Sequence, residues 1–148
     1  MERREQQIEI EDAKFDDLER LCEIYSDAFN ETAPMIRQWW SIIDNPNIQY
    51  KVAKFDGKIM GVASIIIIDK IINSGARMGI IEDVAVSPEA RGLGLGKLLI
   101  EDLIDYGTEK GCYKLTLNCS NDNVEFYEKC GMHRAENQMR WDRPKKQI

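Results

Sequence analysis

The run Ile80-Ile81-Glu82-Asp83-Val84-Ala85-Val86-Ser87-Pro88-Glu89-Ala90-Arg91-Gly92-Leu93-Gly94-Leu95-Gly96-Lys97 decides how this chain folds. Its first part, with Met78 and Gly79 before it, is apolar and β-branched around one acidic pair, and Met78 to Val86 reads as a strand. Three alternating glycines follow, held between Arg91 and Lys97. Beyond them Leu95, Leu98, Leu99, Leu103 and Tyr106 recur on one helical face as far as about Lys110, and Gly111 stands where a helix ends. The reading is strand, glycine-rich turn, amphipathic helix.

Such a turn is a local anion device. Glycines admit positive φ and let a ligand approach the backbone. Successive N–H groups form a nest, the helix start adds partial positive charge, and Arg91 and Lys97 add two full charges. Two common phosphate motifs are excluded. A P-loop needs glycine at position 91 and Ser or Thr at 98, where this chain has Arg and Leu. A dinucleotide motif counted from Gly92 and Gly94 needs glycine at position 97, where this chain has Lys.

Working outward, Ile8 and Ile10 alternate as in a first strand, and Asp16 or Asp17 can cap a helix carrying Leu18, Leu21, Ile24, Tyr25 and Ala28. Pro34 suits the first turn of a second helix that Asn45-Pro46 ends. Within that helix the neighbours Trp39 and Trp40 diverge by about 100°, so one packs inward and the other faces a pocket or interface. Tyr50–Phe55 and Lys58–Asp69 form a hairpin about Asp56-Gly57, and Asn73-Ser74-Gly75 turns the chain into the Met78 strand. Tyr113–Cys119 is a further strand, a short helix from about Asn123 ends at Cys130-Gly131, and His133–Trp141 alternates as a last strand. Antiparallel strands first, then strand–helix–strand–helix–strand, predict an α/β chain with a mixed sheet, residues 1–148 forming one domain with a frayed tail from about Pro144.

Composition narrows the partners. At 148 residues, 43% hydrophobic and 31% charged, the chain has ordinary globular usage. With 26 acidic and 20 basic residues its net charge is −6, which argues against a non-specific nucleic-acid binder. No apolar run approaches a bilayer span, and Met1 to Glu5 precedes no apolar stretch of the kind a signal peptide carries, so a membrane partner is not expected. Cys22, Cys112, Cys119 and Cys130 form no C-x-x-C pair, and the single His133 cannot complete a zinc set. Reduced cysteines in a cytoplasmic protein without a metal are expected.

Arg91, Gly94 and Gly96 match Arg/Gln-x-x-Gly-x-Gly/Ala, and with Val84-Ala85-Val86 they make the segment resemble the acetyl-CoA-binding motif of the Gcn5-related N-acetyltransferase (GNAT) superfamily. The resemblance follows the element order of the whole chain and is strongest from Ile81 to Met132. Within the superfamily, four strings are nearest to the glucosamine 6-phosphate N-acetyltransferases: Ile81–Val86, Gly94–Leu99, Cys112-Tyr113-Lys114 and Asn123–Gly131.

The resemblance implies an enzyme that moves acetyl from acetyl-CoA to a primary amine, glucosamine 6-phosphate or another small amine. A protein or peptide acceptor, and a non-catalytic acyl-CoA-binding regulator, are the other readings. It implies that the turn from Arg91 through Gly92, Leu93, Gly94, Leu95 and Gly96 to Lys97 grips the pyrophosphate. Backbone N–H groups at Val84, Ala85 and Val86 would take the pantetheine arm and the developing oxyanion. The family's Asn-x-x-x-Tyr becomes Asn123 and Tyr127, one helical turn apart, with Tyr127 protonating the departing sulfur. From spacing alone Tyr127 reads first as a core tyrosine, and Asn123 serves as a helix cap as well. Phe126 and Lys129 complete the cofactor set, Lys129 being otherwise a solvated lysine.

Glu82 and Asp83 are expected to bind and deprotonate the amine, or else to pair with Arg77 or Lys114. Neighbours on a regular strand point to opposite faces, so both can serve one substrate only if the strand is bulged. Asn118 stands where the resembled enzymes carry an acid, and Asn30 begins a stretch, Asn30-Glu31-Thr32, like their polar substrate loop. For a sugar phosphate the chain end offers Arg140 and Arg143, with Asp142 where a base is expected. The resembled enzymes are commonly dimers that exchange the last strand, so a homodimer is expected.

Overall fold

The computed structural model describes residues 7–30 and 36–145. Glu31, Thr32, Pro34, the first six residues and the last three lie outside the described residues. Backbone contacts group the chain into two compact units, one ending at Leu117 and one beginning at Asn118.

The first unit is a five-stranded sheet in the order β1-β2-β3-β4-β5, with β1 Ile8–Asp12, β2 Ile48–Phe55, β3 Lys58–Ile68, β4 Arg77–Val86 and β5 Cys112–Thr116. Successive strands are antiparallel except the last pair, since β4 and β5 are joined through a helix and run parallel. The β2–β3 hairpin closes through Asp56 at φ +48° and Gly57 at φ +82°, the left-handed pair such a two-residue turn requires. The β3–β4 connection reverses through Asn73 and Ser74, both left-handed.

Helix α1, Leu18–Phe29, and helix α2, Ile36–Ile43, cover one face of the sheet. Leu21, Ile24 and Trp39 pack there against Val52, Ile59, Val62 and Ala85. Trp39 is buried and its indole N–H donates to the Phe15 carbonyl at 2.8 Å, whereas Trp40 faces outward and stacks on Phe15. Helix α3, Leu95–Glu109, covers the opposite face with Leu95, Leu99, Ile100 and Leu103, all buried, while Leu98 is turned outward. On that face Gly79 of β4 and Gly107 of α3 meet the side chain of Leu115, which leaves no room for a β-carbon. A largely buried Lys51 ties the layers, pairing with Asp12 at 2.5 Å and Asp102 at 3.3 Å.

The second unit carries a 3₁₀ turn, Asn121–Asn123, and helix α4, Val124–Lys129. From Met132 to Lys145 no strand forms, although the alternation of 133–141 predicts one. Alternation supplies a two-faced ribbon but not a neighbour, and a strand exists only where its backbone finds one. The strand from Tyr113 is also shorter than expected, ending at Thr116.

Candidate active site

Strand β4 is bulged at the acidic pair. Val62 pairs with Ala85 and Ser64 with Glu82, so Asp83 and Val84 together face Ala63 alone. Asp83 takes up the extra residue in the left-handed region, φ +52°. The bulge departs from regular alternation, and Glu82 and Asp83 are both exposed. Two side chains hold their backbone: the Ser64 hydroxyl donates to the Glu82 carbonyl at 3.0 Å, and the Tyr25 hydroxyl donates to the Asp83 carbonyl at 2.9 Å. Neither partner stands out in the sequence.

Charge in the pair is tuned by its surroundings. Burial, and then the Asp83 charge, hold the Glu82 carboxyl above the usual glutamate range. Burial pushes up the Tyr25 hydroxyl, with Tyr50 and Asp83 adding to it, and Tyr50 rises for the same first reason with Asp83 again contributing. The basic residues named from the sequence as alternative partners are engaged elsewhere: Arg77 pairs with Asp69 at 2.9 Å, and Lys114 lies over the Tyr113 ring.

Beyond the bulge, β4 has a bare edge. Its pairing with β5 ends at Ile80–Thr116, so among the described residues nothing lies beside Ile81–Val86 on that side in the sheet. The Ser87 N–H donates to the Met60 carbonyl on the β3 side at 2.7 Å. By strand alternation the N–H group of Ala85 therefore points to β3 and that of Val86 to the bare edge, while Val84 belongs to the bulge.

The strand leads through a 3₁₀ turn, Pro88–Ala90, into the glycine turn. Gly92 at φ +81° and Gly94 at φ +87° are left-handed, and a β-carbon on either would meet nothing within 4 Å, so the turn is an open cradle. The α3 hydrogen-bond ladder starts at the Leu98 N–H, which donates to the Gly94 carbonyl at 3.2 Å. The N–H groups of Leu95, Gly96 and Lys97 belong to the first turn, which has no intrahelical acceptor for them. Arg91, Leu93 and Lys97 flank the cradle, all exposed or half-exposed, and Lys97 is 3.7 Å from Glu101. A diphosphate fits such a site: it needs N–H donors, close backbone approach and positive charge.

The first unit thus brings together the acidic pair, the bare edge and the glycine cradle on one continuous run of chain. Asn30 belongs to the same unit but to another element, as the left-handed residue ending α1, its N–H donating to the Ser26 carbonyl at 3.0 Å. The other residues named from the sequence belong to the second unit. Asn118 is exposed, and Asn123 occupies the α4 cap position without a side-chain capping bond. Tyr127 is half-buried with its ring edge-on to Phe126, centroids 4.9 Å apart, and burial, then Cys119 and Cys130, push its hydroxyl up. Lys129 is exposed beside Glu125, and Arg140 pairs with Asp142 at 2.9 Å. No cluster of metal-ligating side chains occurs among the described residues.

A mixed sheet whose one parallel pair parts beside a glycine-rich helix start defines an acetyltransferase-type fold. The chain belongs to the acetyltransferase (GNAT) family, whose sequence model matches residues 15–132. It is 49% identical over 86 residues, 58% of either chain, to a glucosamine 6-phosphate N-acetyltransferase of Trypanosoma brucei brucei, so it matches a little over half the length of that curated relative. The crystal structure of an acetyltransferase from Trypanosoma brucei is 36% identical and superposes with a TM-score of 0.81 over 92% of this chain and 99% of that one. That of glucosamine-6-phosphate N-acetyltransferase from Arabidopsis thaliana is 30% identical, with a TM-score of 0.84 over 92% and 98%.

Proposed function

We propose that this chain is an N-acetyltransferase that takes acetyl from acetyl-CoA and delivers it to the amine of glucosamine 6-phosphate or a closely similar small amine, both units acting as one catalytic domain. The observation that carries this reading is the open glycine cradle at the end of the bare β4 edge. The names of the relatives supply the acceptor.

Acetyl-CoA brings an activated thioester, and the chain's residues do the rest. Arg91, Lys97 and the N–H groups from Gly92 to Gly96 bind the diphosphate. Leu93 and Leu95 belong to that grip through their backbone. The N–H groups of Val84 and Val86 orient the extended arm along the bare edge, and the same strand donates to the carbonyl oxygen as it gains charge. Glu82 and Asp83 bind the acceptor's ammonium and take its proton, since only the neutral amine is a nucleophile. The raised Glu82 pKa makes its carboxylate a stronger base than an ordinary glutamate. Tyr127 keeps its proton at the hydroxyl oxygen for the departing sulfur, and its raised pKa keeps that proton in place at physiological pH. Asn123, Phe126 and Lys129 line the cofactor arm, while Asn30 and Asn118 face the acceptor.

We also read the protein as a cytoplasmic homodimer. Four free cysteines favour a reducing compartment, and no helix among the described residues is long and apolar enough to cross a membrane. Among the described residues strand β5 ends the sheet with no strand beside its outer edge, and Met139 and Trp141 are 90% and 79% exposed, a pattern that suits exchange of the last segment between subunits.

The test is release of the coenzyme thiol against a panel of amino sugars with and without a 6-phosphate, polyamines and lysine peptides. Turnover confined to an amino sugar or small amine supports the reading. Turnover confined to peptides overturns the small acceptor, and no turnover with any amine overturns the enzyme.

A further inference from the structure

We propose that Tyr25 is a positioning residue for acceptor deprotonation: by clamping the Asp83 carbonyl from helix α1, its hydroxyl holds the β4 bulge in the one form that turns Glu82 and Asp83 together toward the amine. The inference rests on the proposed acetyl transfer and adds to it a residue from a different element.

The argument begins with the backbone. On a regular strand Glu82 and Asp83 diverge, and an acid facing the sheet interior is costly unless partnered. The bulge avoids this by placing Asp83 at φ +52°, a region in which side chains other than glycine are uncommon. A strained residue persists only where its surroundings over-determine it. Here two peptide planes in sequence are pinned, Glu82 by the Ser64 hydroxyl at 3.0 Å and Asp83 by the Tyr25 hydroxyl at 2.9 Å.

The two clamps differ in kind. Ser64 is the β3 residue paired with Glu82, so its bond is internal to the sheet. Tyr25 comes from a helix, 58 residues away in sequence. Its ring packs against the core of Leu21, Ile24, Val62 and Ala85 and stacks on Phe29 at 5.7 Å. The hydroxyl is therefore fixed by the α1–sheet packing, and burial keeps it protonated as a donor. Among the described residues, the titratable groups that act on one another at this point include Tyr25 from α1, Tyr50 from β2, and Glu82 and Asp83 from β4, with the Ser64 hydroxyl from β3. The Tyr25 and Ser64 hydroxyls meet the backbone carbonyls of the pair, so they orient its peptide planes and leave its carboxylates uncapped by these two groups.

The test is a double-mutant cycle of Tyr25→Phe and Asp83→Asn, read as kcat and as KM for each substrate across pH. Tyr25→Phe keeps the ring and its packing. The expected result is kcat for the amine reduced about 10-fold, the acid limb of the pH profile displaced, and KM for acetyl-CoA unchanged. In the Asp83→Asn background, which keeps the clamped carbonyl and Glu82, the same substitution is expected to cost less than in the parent, because one of the two carboxylates that Tyr25 positions is gone. Equal loss in both backgrounds, or Tyr25→Phe turnover equal to the parent's, overturns the positioning role while leaving acetyl transfer intact. If the unaltered protein acetylates no amine, the proposed function fails and the clamp is judged instead by carboxyl titration in labelled protein. There Tyr25→Phe must move the Glu82 titration toward an ordinary glutamate, and an unmoved titration overturns the proposal.

Discussion

Ile80 and Thr116 are the last paired residues of the parallel strands β4 and β5. Up to that pair the sheet is continuous; past it β4 runs on for six residues with no strand beside one edge among the described residues. The edge then leads through Pro88–Ala90 into the glycine cradle, so donors for an extended chain and donors for a diphosphate succeed one another along a single backbone.

Replacing Val86 with proline deletes one N–H on the bare edge and no bond of the β3 ladder, a placement proline tolerates. We expect Val86→Pro to weaken acetyl-CoA binding about 2- to 10-fold, the worth of one hydrogen bond, with Tm nearly unchanged. Calorimetry showing equal affinity would remove this N–H from the arm's binding.

Glu82 is held above the usual glutamate range by burial and by Asp83. As a base it must be ionised, so kcat/KM for the amine falls as pH drops through this raised value. Glu82→Gln is expected to lower kcat and flatten that acid limb. The folded chain also holds this proton more tightly than the unfolded one, so Glu82 costs stability once pH rises through its raised pKa. Glu82→Gln is therefore expected to raise Tm at pH 7 and to leave it unchanged below the unfolded glutamate pKa of about 4.3. Melts at the two pH values check this.

Tyr127→Phe removes the proposed proton for the sulfur. We expect turnover to fall about 10- to 1000-fold with KM for acetyl-CoA nearly unchanged. Unaltered turnover takes Tyr127 out of the mechanism.

Gly79 tests the packing that sets the site's frame. A β-carbon there would lie 2.5 Å from Leu115 and 2.9 Å from Ile65, which is fully buried. Gly79→Ala is expected to destabilise by about 1–3 kcal/mol, as overpacked cores do. Adding Leu115→Val should recover part of that loss in a denaturant melt; no recovery would show that Leu115 is not the obstruction.

How far the sequence revealed this site follows from the range of each interaction. The strand–turn–helix run is local, and glycines that must be left-handed are the only residues that occupy those positions without strain, so Gly92 and Gly94 are readable directly. The adjacency of Glu82 and Asp83 poses the question of a bulge, but its answer lies in the register with β3, fixed by the distant pairs Ser64–Glu82 and Val62–Ala85. Tyr25 looks like one more member of an amphipathic stripe, and only its packed position shows what its hydroxyl reaches. The tail shows the converse: 133–141 alternates well enough to be read as a strand, yet Met132–Lys145 has no ladder, because pairing depends on a partner that a single chain's pattern does not specify.

The central claim is that the turn from Arg91 to Lys97 holds the diphosphate of coenzyme A. A crystal structure of the protein with coenzyme A tests it most directly. The account predicts diphosphate oxygens within about 3 Å of N–H groups between Gly92 and Lys97, with the pantetheine arm running back along Val86 and Val84. A diphosphate bound anywhere else would contradict it.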